Sequence, residues 1–202
     1  MMQTPFQLYD YFKISIIQDN IDNVAKNLNK LLSDFALKQK ELTKVDFKKV
    51  CSLRTIPYNS KTIKFLLFEP IANPDSTVFF PNFVDGWYTA VYNYTRLYSK
   101  SAFQVGFTTN NTIEYPAYFF TFFYIDKEQI KVRTVHAIKE DKWVFYIGDK
   151  PLSIEDKNNY LKKKIKDRIN NEIILDYLKK AGYDLTLNSF FKSNRKAILF
   201  TN

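Results

Sequence analysis

The chain is poor in the side chains from which reactive sites are usually built. It has one histidine, one cysteine and four glycines in 202 residues. The single Cys51 cannot close an internal disulfide, and one His with one Cys cannot complete a Cys/His zinc site. A catalytic triad would have to include His136, and so few glycines leave little material for a phosphate-cradling loop. These shortages argue against a metalloenzyme, a disulfide scaffold and a nucleotide-binding enzyme.

Long apolar runs are also missing. The most apolar stretches are TVFFPNFV and YPAYFFTFFYI, both well short of the roughly 20 residues that a membrane-spanning helix needs. The first residues, MMQTPFQLYDYFKISIIQDN, lack the cationic start and apolar centre of a secretory signal. We therefore expect no membrane span and a cytoplasmic location, which also suits the lone cysteine.

Aromatic and basic residues are plentiful. Aromatics make up 17% of the chain, hydrophobic residues 46%, and the formal net charge is +9. Such a balance predicts a globular domain, and the charge favours anionic partners such as acidic proteins or nucleic acid. Codon bias in an AT-rich genome is the alternative origin of the lysines. We expect a single domain over residues 1–202, with residues 1–75 forming a strand and helix part whose relation to the rest stays open.

Apolar periodicity predicts an α+β fold. Spacings of three and four residues indicate helices over 20–40 and 87–99, and a third begins at a capping box of Ser153 and Asp156 and ends at Gly182. Close-spaced strands predict an antiparallel meander. The expected architecture is a largely antiparallel sheet of six to eight strands with three helices. The predicted strands are residues 12–17, 61–69, 76–80, 102–108, 117–125, 129–138, 142–147 and 195–201.

A basic run lies in the third predicted helix. A helical wheel makes Leu161, Ile165, Ile169 and Ile173 its buried stripe, with cations on both sides of that stripe. Lys163 with Asp167, and Arg168 with Glu172, would be ion pairs four residues apart. This geometry favours a solvated surface over a phosphate clamp. A nucleic-acid-binding helix around residues 161–168 remains the alternative.

Catalysis is not predicted, and neither is a cofactor or a metal. His136 falls on the apolar face of its strand, which indicates a buried structural histidine, and Cys51 is interpreted as a small buried hydrophobe. The neighbouring carboxylates Glu155 and Asp156 diverge, and their expected role is to stabilise the positive end of the third helix.

The order of several short words in the chain resembles the small bacterial immunity proteins of polymorphic toxin and contact-dependent inhibition systems. The words are GW at 86–87, VRTV at 132–135, WVFYIGDKPLSIED at 143–156, Tyr160, KDR at 166–168 and YLKKAG at 177–182. The resemblance covers about residues 80–182.

The resemblance implies a non-catalytic protein that binds and neutralises one cognate toxin domain. Since this chain is basic, the toxin is expected to present an acidic surface. Aromatic anchors and exposed cations would form the contact, and oligomeric state is left open. The expected partner-binding residues are Tyr88, Tyr92, Arg96, Lys162, Lys163 and Lys166.

Overall fold

One antiparallel sheet of nine strands organises the chain in a computed structural model. The structure describes residues 4–54, 61–110 and 112–202. Across the sheet the strand order is β2-β9-β3-β4-β1-β5-β6-β7-β8. The strands are β1 (Tyr11–Ile17), β2 (Lys38–Leu42), β3 (Lys64–Phe68), β4 (Thr77–Pro81), β5 (Ala102–Thr108), β6 (Ala117–Asp126), β7 (Gln129–Lys139), β8 (Trp143–Gly148) and β9 (Ala197–Thr201).

Within these described ranges three α-helices cover the sheet, namely α1 (Ile21–Leu31), α2 (Tyr88–Tyr98) and α3 (Asn171–Lys180). Because side chains alternate along each strand, the strands supply apolar residues to both faces. One core, around Phe65 and Phe79, packs under α1 and α2. The other, around Phe12 and Phe120, packs under α3 and short 3-10 turns. The α+β prediction is confirmed.

The sheet has nine strands where six to eight were predicted. All eight predicted strands are present, and the ninth is β2. Its sequence is KQKEL, with the first four residues exposed. No apolar alternation marks such a strand, because it lies at the edge of the sheet and buries almost nothing. The helix predicted over 20–40 is shorter than expected. It ends at Leu31, because the chain turns after that residue to enter this edge strand.

The meander of β5, β6, β7 and β8 is confirmed, with antiparallel pairing throughout. Strand β6 is buried only in its middle, at Phe120, Thr121 and Phe123. Phe120 and Phe123 are fully buried in opposite cores. Phe119 is only half-buried. The surface over Phe119, β7 and β8 is therefore less covered than the rest of the sheet.

The third predicted helix is wrong over its first half. Asp156 caps a 3-10 turn over Lys157–Leu161, a second turn covers Ile165–Asp167, and α3 begins only after Asn170, whose side chain accepts a hydrogen bond from the Ile173 amide. Leu161, expected in the buried stripe, is 81% exposed. Without a helix, the predicted ion pairs of Lys163 and Arg168 do not form.

The predicted end of that helix is confirmed. Gly182 has a φ of +92°, a conformation that glycine adopts without steric cost. The Gly182 amide donates to the Lys179 carbonyl, and the Tyr183 amide donates to the Leu178 carbonyl. This pattern is a Schellman motif, which satisfies carbonyls that the helix end leaves unpaired.

Candidate protein-interaction site

The β8 strand forms one edge of the sheet and carries exposed apolar side chains. Val144 is 43% exposed, Tyr146 is 50% exposed and Ile147 is 40% exposed. Its sequence, WVFYIG, contains no charged residue. Native sheets usually protect such an edge with charges, proline, bulges or a covering element, because its free backbone groups can pair with another chain. Among the described residues, no strand pairs with the outer side of β8.

A row of side chains crosses five strands on the α2 face and reaches this edge. Strand pairing aligns Lys13 with Gly106, Gly106 with Phe119, Phe119 with His136, and His136 with Tyr146. We call these five residues the cross-strand row. The His136 ring lies 5.5 Å from the Phe119 ring and stacks on Tyr146 at 5.2 Å. The row is an aromatic strip that becomes more exposed toward β8.

Lys13 is the buried end of the cross-strand row. The residue is 7% exposed, and its amine lies 4.8 Å from the centroid of the Phe119 ring. Burial lowers the pKa of Lys13 to about 8, against a smaller opposing effect of Asp85. Burial, followed by the charge of Lys13, also lowers the pKa of His136. His136 is therefore neutral at physiological pH, while Lys13 is largely charged.

A basic loop, residues 161–168, lies against the other face of β8. Lys162, Lys163, Lys164 and Lys166 are exposed. The Arg168 side chain donates to the Lys162 carbonyl at 2.7 Å and lies over the Phe145 ring. None of these five cations forms an ion pair with another described residue. The basic loop, whose one acidic residue is Asp167, therefore carries a net positive charge that no ion pair neutralises.

A groove of about 540 Å³ runs between the basic loop and the start of β8. The rings of Tyr118 and Trp143 stack there with an interplanar angle of 9°. Lys139 and Lys166 line the same groove, together with the carboxylates of Asp167 and Glu172. Flat aromatic surface and cations thus occur side by side, although acidic groups are present as well.

A buried ion pair fixes the chain that follows β8. Arg133 and Glu155 are both fully buried at the side chain, and the guanidinium donates to both carboxylate oxygens, at 2.9 and 2.5 Å. Arg133 also donates to the carbonyls of Gly148 and Asp149, and the Tyr160 hydroxyl donates to Glu155. We call this network the Arg133–Glu155 clamp.

The contacts within the clamp shift the pKa values of Arg133 and Tyr160. Burial alone would lower the pKa of Arg133, but the hydrogen bonds and charge of Glu155 raise it. Burial and then the hydrogen bond to Glu155 raise the pKa of Tyr160. The predicted role of Glu155 at a helix start is wrong, because its carboxylate turns inward to meet Arg133. The clamp holds the turn between β8 and the basic loop against β7.

The six expected partner-binding residues fall into two separate groups. On α2, Arg96 is exposed, Tyr88 is 39% exposed, and Tyr88 stacks on Tyr92 while its ring edge meets Phe123. These three residues lie on one face of the sheet. The other group lies in the basic loop on the opposite face: Lys162, Lys163 and Lys166. The structure does not bring the two groups together.

The two reactive residues have ordinary surroundings. His136 was expected to be buried and is instead half-buried between two aromatic rings, with no hydrogen bond from its ring to another described residue. Cys51 is buried as predicted, and its carbonyl accepts a hydrogen bond from Tyr9. No cluster of potential metal ligands occurs in the described part of the chain.

Sequence reasoning missed Lys13 and Arg133, although a signal for each was present. Arg133 alternates in phase with Val135 and Ala137, which indicates that all three point into the same core. Lys13 stands between Phe12 and Ile14 in a strand that is otherwise apolar. Neither residue was singled out, because charged residues are rarely buried.

Comparison with known proteins identifies no relative of this chain. The chain matches no protein-family model, and no curated protein or solved structure is significantly similar to it. Across residues 4–54, 61–110 and 112–202, no helix has the length and apolar character to cross a membrane. Residues 1–3, part of the segment predicted not to be a secretory signal, lie outside those ranges.

Proposed function

We propose that the protein is a non-catalytic cytoplasmic interaction protein, and specifically an immunity protein that binds and neutralises a cognate bacterial toxin. The observation that carries the proposal is the β8 edge, where exposed apolar side chains and free backbone groups lie beside five cations in no ion pair. Contact through a sheet edge gives affinity from backbone hydrogen bonds and specificity from alternate side chains. The order of short words shared with immunity proteins supports the narrower assignment.

The charge around the β8 edge favours an acidic partner over a second copy of this chain. Two copies joined symmetrically through β8 would bring their basic loops close together, and like charges facing each other across an interface are costly. A partner with carboxylates opposite Lys162, Lys163 and Lys166 would gain from the same potential. Such complementarity mainly raises the association rate.

A growth-protection experiment tests the proposal. The C-terminal domain encoded by the gene immediately upstream is expressed in bacteria with and without this protein. We expect the domain to arrest growth and the protein to restore it. A Tyr146→Lys variant should lose protection, since a charge on an exposed edge strand disfavours strand pairing.

Lys40→Glu at the opposite edge of the sheet serves as the matched control, and it should protect as well as the unchanged protein. Absence of protection by the unchanged protein would refute the immunity function. Full protection by Tyr146→Lys would refute the role of the β8 edge.

Nucleic-acid binding is the second candidate, and the groove beside Trp143 favours it. A stacked aromatic pair next to Lys139 and Lys166 resembles the platforms on which single-stranded bases stack. Retention on single-stranded DNA should then fall steeply with salt yet persist at physiological ionic strength. Loss of that retention in a Trp143→Ala variant would assign it to this groove.

A further inference from the structure

Two of the four glycines make room for Lys13. A Cβ on Gly106 would come within 2.5 Å of the Tyr11 hydroxyl and 3.0 Å of the Lys13 side chain. A Cβ on Gly86, whose φ is +66°, would come within 2.9 Å of the same lysine. The lysine stem therefore lies in a slot that only glycine leaves open on both sides. The slot directs the amine over the Phe119 ring, at the inner end of the cross-strand row.

The amine in this slot has no counter-ion in contact with it, since Asp85 acts on it only through a smaller charge effect without an ion pair. Among the described residues, Lys13 makes no ion pair and no hydrogen bond through its side chain, and its nearest recorded partner is the Phe119 ring. A charged side chain on a residue that is only 7% exposed loses much of its hydration, and proteins usually compensate it with an opposite charge. The contact with one aromatic face recovers only part of that loss. The slot therefore favours an anion supplied from outside the chain.

The surface next to the slot determines what can carry that anion. Phe119 and His136 are half-buried, and Tyr146 is half-exposed at the β8 edge. The row is buried at Lys13 and Gly106 and becomes accessible from Phe119 to Tyr146 at the sheet edge, which suits a side chain presented by another protein more than an enclosed small molecule. Tyrosine and other aromatic residues are also the usual anchors at the centre of protein interfaces.

We propose that Lys13 receives an acidic side chain of the partner protein, whose neighbouring apolar or aromatic group lies on Phe119, His136 and Tyr146. The proposal rests on the proposed function, since it names how the toxin is recognised. The carboxylate would pair with the Lys13 amine and replace the missing counter-ion. Formation of a buried, hydrogen-bonded charge pair makes recognition specific for an acid over its amide.

Phenylacetate serves as a probe of this chemistry, with phenylacetamide as its uncharged counterpart. His136 is the sole histidine of the chain, so its imidazole proton signals in an NMR spectrum need no further assignment. At pH 7 we expect phenylacetate to shift these signals in a saturable manner. Phenylacetamide should bind about tenfold more weakly, which is the range expected for loss of one charge-assisted hydrogen bond.

Two variants locate the site. The Lys13→Gln variant should bind phenylacetate and phenylacetamide equally weakly. Lys139→Gln, which removes a lysine on the opposite face of β7, should leave the preference for the acid unchanged. Binding of the acid should weaken as pH rises above 8, where Lys13 loses its proton. The other titratable groups facing Lys13 are Tyr11, Asp85 and His136, and His136 is already neutral in that range.

The outcomes separate this inference from the proposed function. Equal binding of acid and amide, no response of His136 to phenylacetate, or an unchanged preference in Lys13→Gln would each overturn the Lys13 site. Growth protection without any acid preference would leave the immunity function standing and remove only this site. An acid preference without growth protection would keep the carboxylate site and refute the toxin as its source.

Discussion

The two edges of the sheet are built in opposite ways. At one end, β2 reads KQKEL, and its first four residues are exposed and mostly charged. At the other end, β8 reads WVFYIG and exposes Val144, Tyr146 and Ile147. Charges on an edge strand discourage pairing with other chains. The β2 edge is thus protected within its own strand, whereas at β8 the charges lie beside the strand, in the basic loop.

The ion pairs at the two ends of the sheet also differ, because one is exposed to solvent and the other is buried. Lys196, which immediately precedes β9, and Glu41 of β2 form an exposed pair, with side chains 65% and 58% exposed. The Arg133–Glu155 clamp at the β8 end is fully buried. An exposed pair adds little to stability, while a buried pair leaves an uncompensated charge when one partner is removed. The β8 end is therefore held by interactions that define its shape, which suits its proposed role as a partner-binding surface.

The clamp gives the largest expected effect. Arg133→Met leaves Glu155 buried without its cation, so we expect a loss of about 3–5 kcal/mol in the free energy of unfolding. Lys196→Met, at the β2 end, should cost less than about 1 kcal/mol. Urea denaturation of both variants measures the difference. Similar losses at the two ends would contradict the contrast between them.

The second prediction concerns Lys13, which lies on the row leading to β8. Because the folded-state pKa is lowered from 10.5 to about 8, the unfolded chain binds more protons between these values. Wild-type stability should therefore be reduced at pH 7 and recover as pH rises toward 10. Lys13→Met removes this effect and should be more stable at pH 7 by about 3 kcal/mol.

Unfolding free energies of the wild type and of Lys13→Met, measured from pH 7 to 10, check this sign. The difference in unfolding free energy between the two proteins should shrink as pH rises. Lys40→Met on the exposed β2 strand provides the control, and its gap should not depend on pH. A gap for Lys13→Met that is constant with pH would show that the amine is not desolvated in the folded protein.

The third prediction concerns a smaller effect, the contribution of the cations at the two ends of the sheet to the association rate. Replacing Lys162, Lys163 and Lys166 by alanine should slow association with the toxin domain about tenfold at low salt. The same number of charges removed at the β2 end, in Lys38, Lys40 and Lys44, should change the rate less than about twofold. Stopped-flow association at several salt concentrations separates the two variants. Equal slowing would mean that net charge, and not the position of the basic loop, drives association.

The sequence predicts elements well where burial leaves a pattern and fails where it does not. Eight strands were found because apolar runs or alternating apolar residues mark them, and β2 was missed because its exposed residues carry no such pattern. The candidate surface was predicted only in part. Lys162, Lys163 and Lys166 are exposed beside β8, but the importance of Lys13 and Arg133 depends on neighbours from distant strands, which sequence spacing does not reveal.

The failed helix has a local cause as well. Leu161, Ile165, Ile169 and Ile173 repeat every four residues, which is a helical spacing. Lys162 and Lys166 are also four apart, and like charges at that spacing destabilise a helix. Asp156 and Asn170 offer two separate capping sites, so the chain forms a 3-10 turn and later α3. Apolar periodicity alone could not weigh these competing contributions.

The smallest predicted effect follows from this correction. Leu161 is 81% exposed in the basic loop, while Ile169, just before the start of α3, is fully buried in the core. Leu161→Ala should change the free energy of unfolding by less than about 0.5 kcal/mol, as for most surface positions. Ile169→Ala should cost about 2–5 kcal/mol through lost burial and a cavity. Urea denaturation distinguishes these values. Equal costs for the two variants would support the predicted continuous helix, in which Leu161 and Ile169 share a buried stripe. The basic loop would then be a helix face packed on the core, and the β8 edge would lose the freely exposed cations that distinguish it from β2.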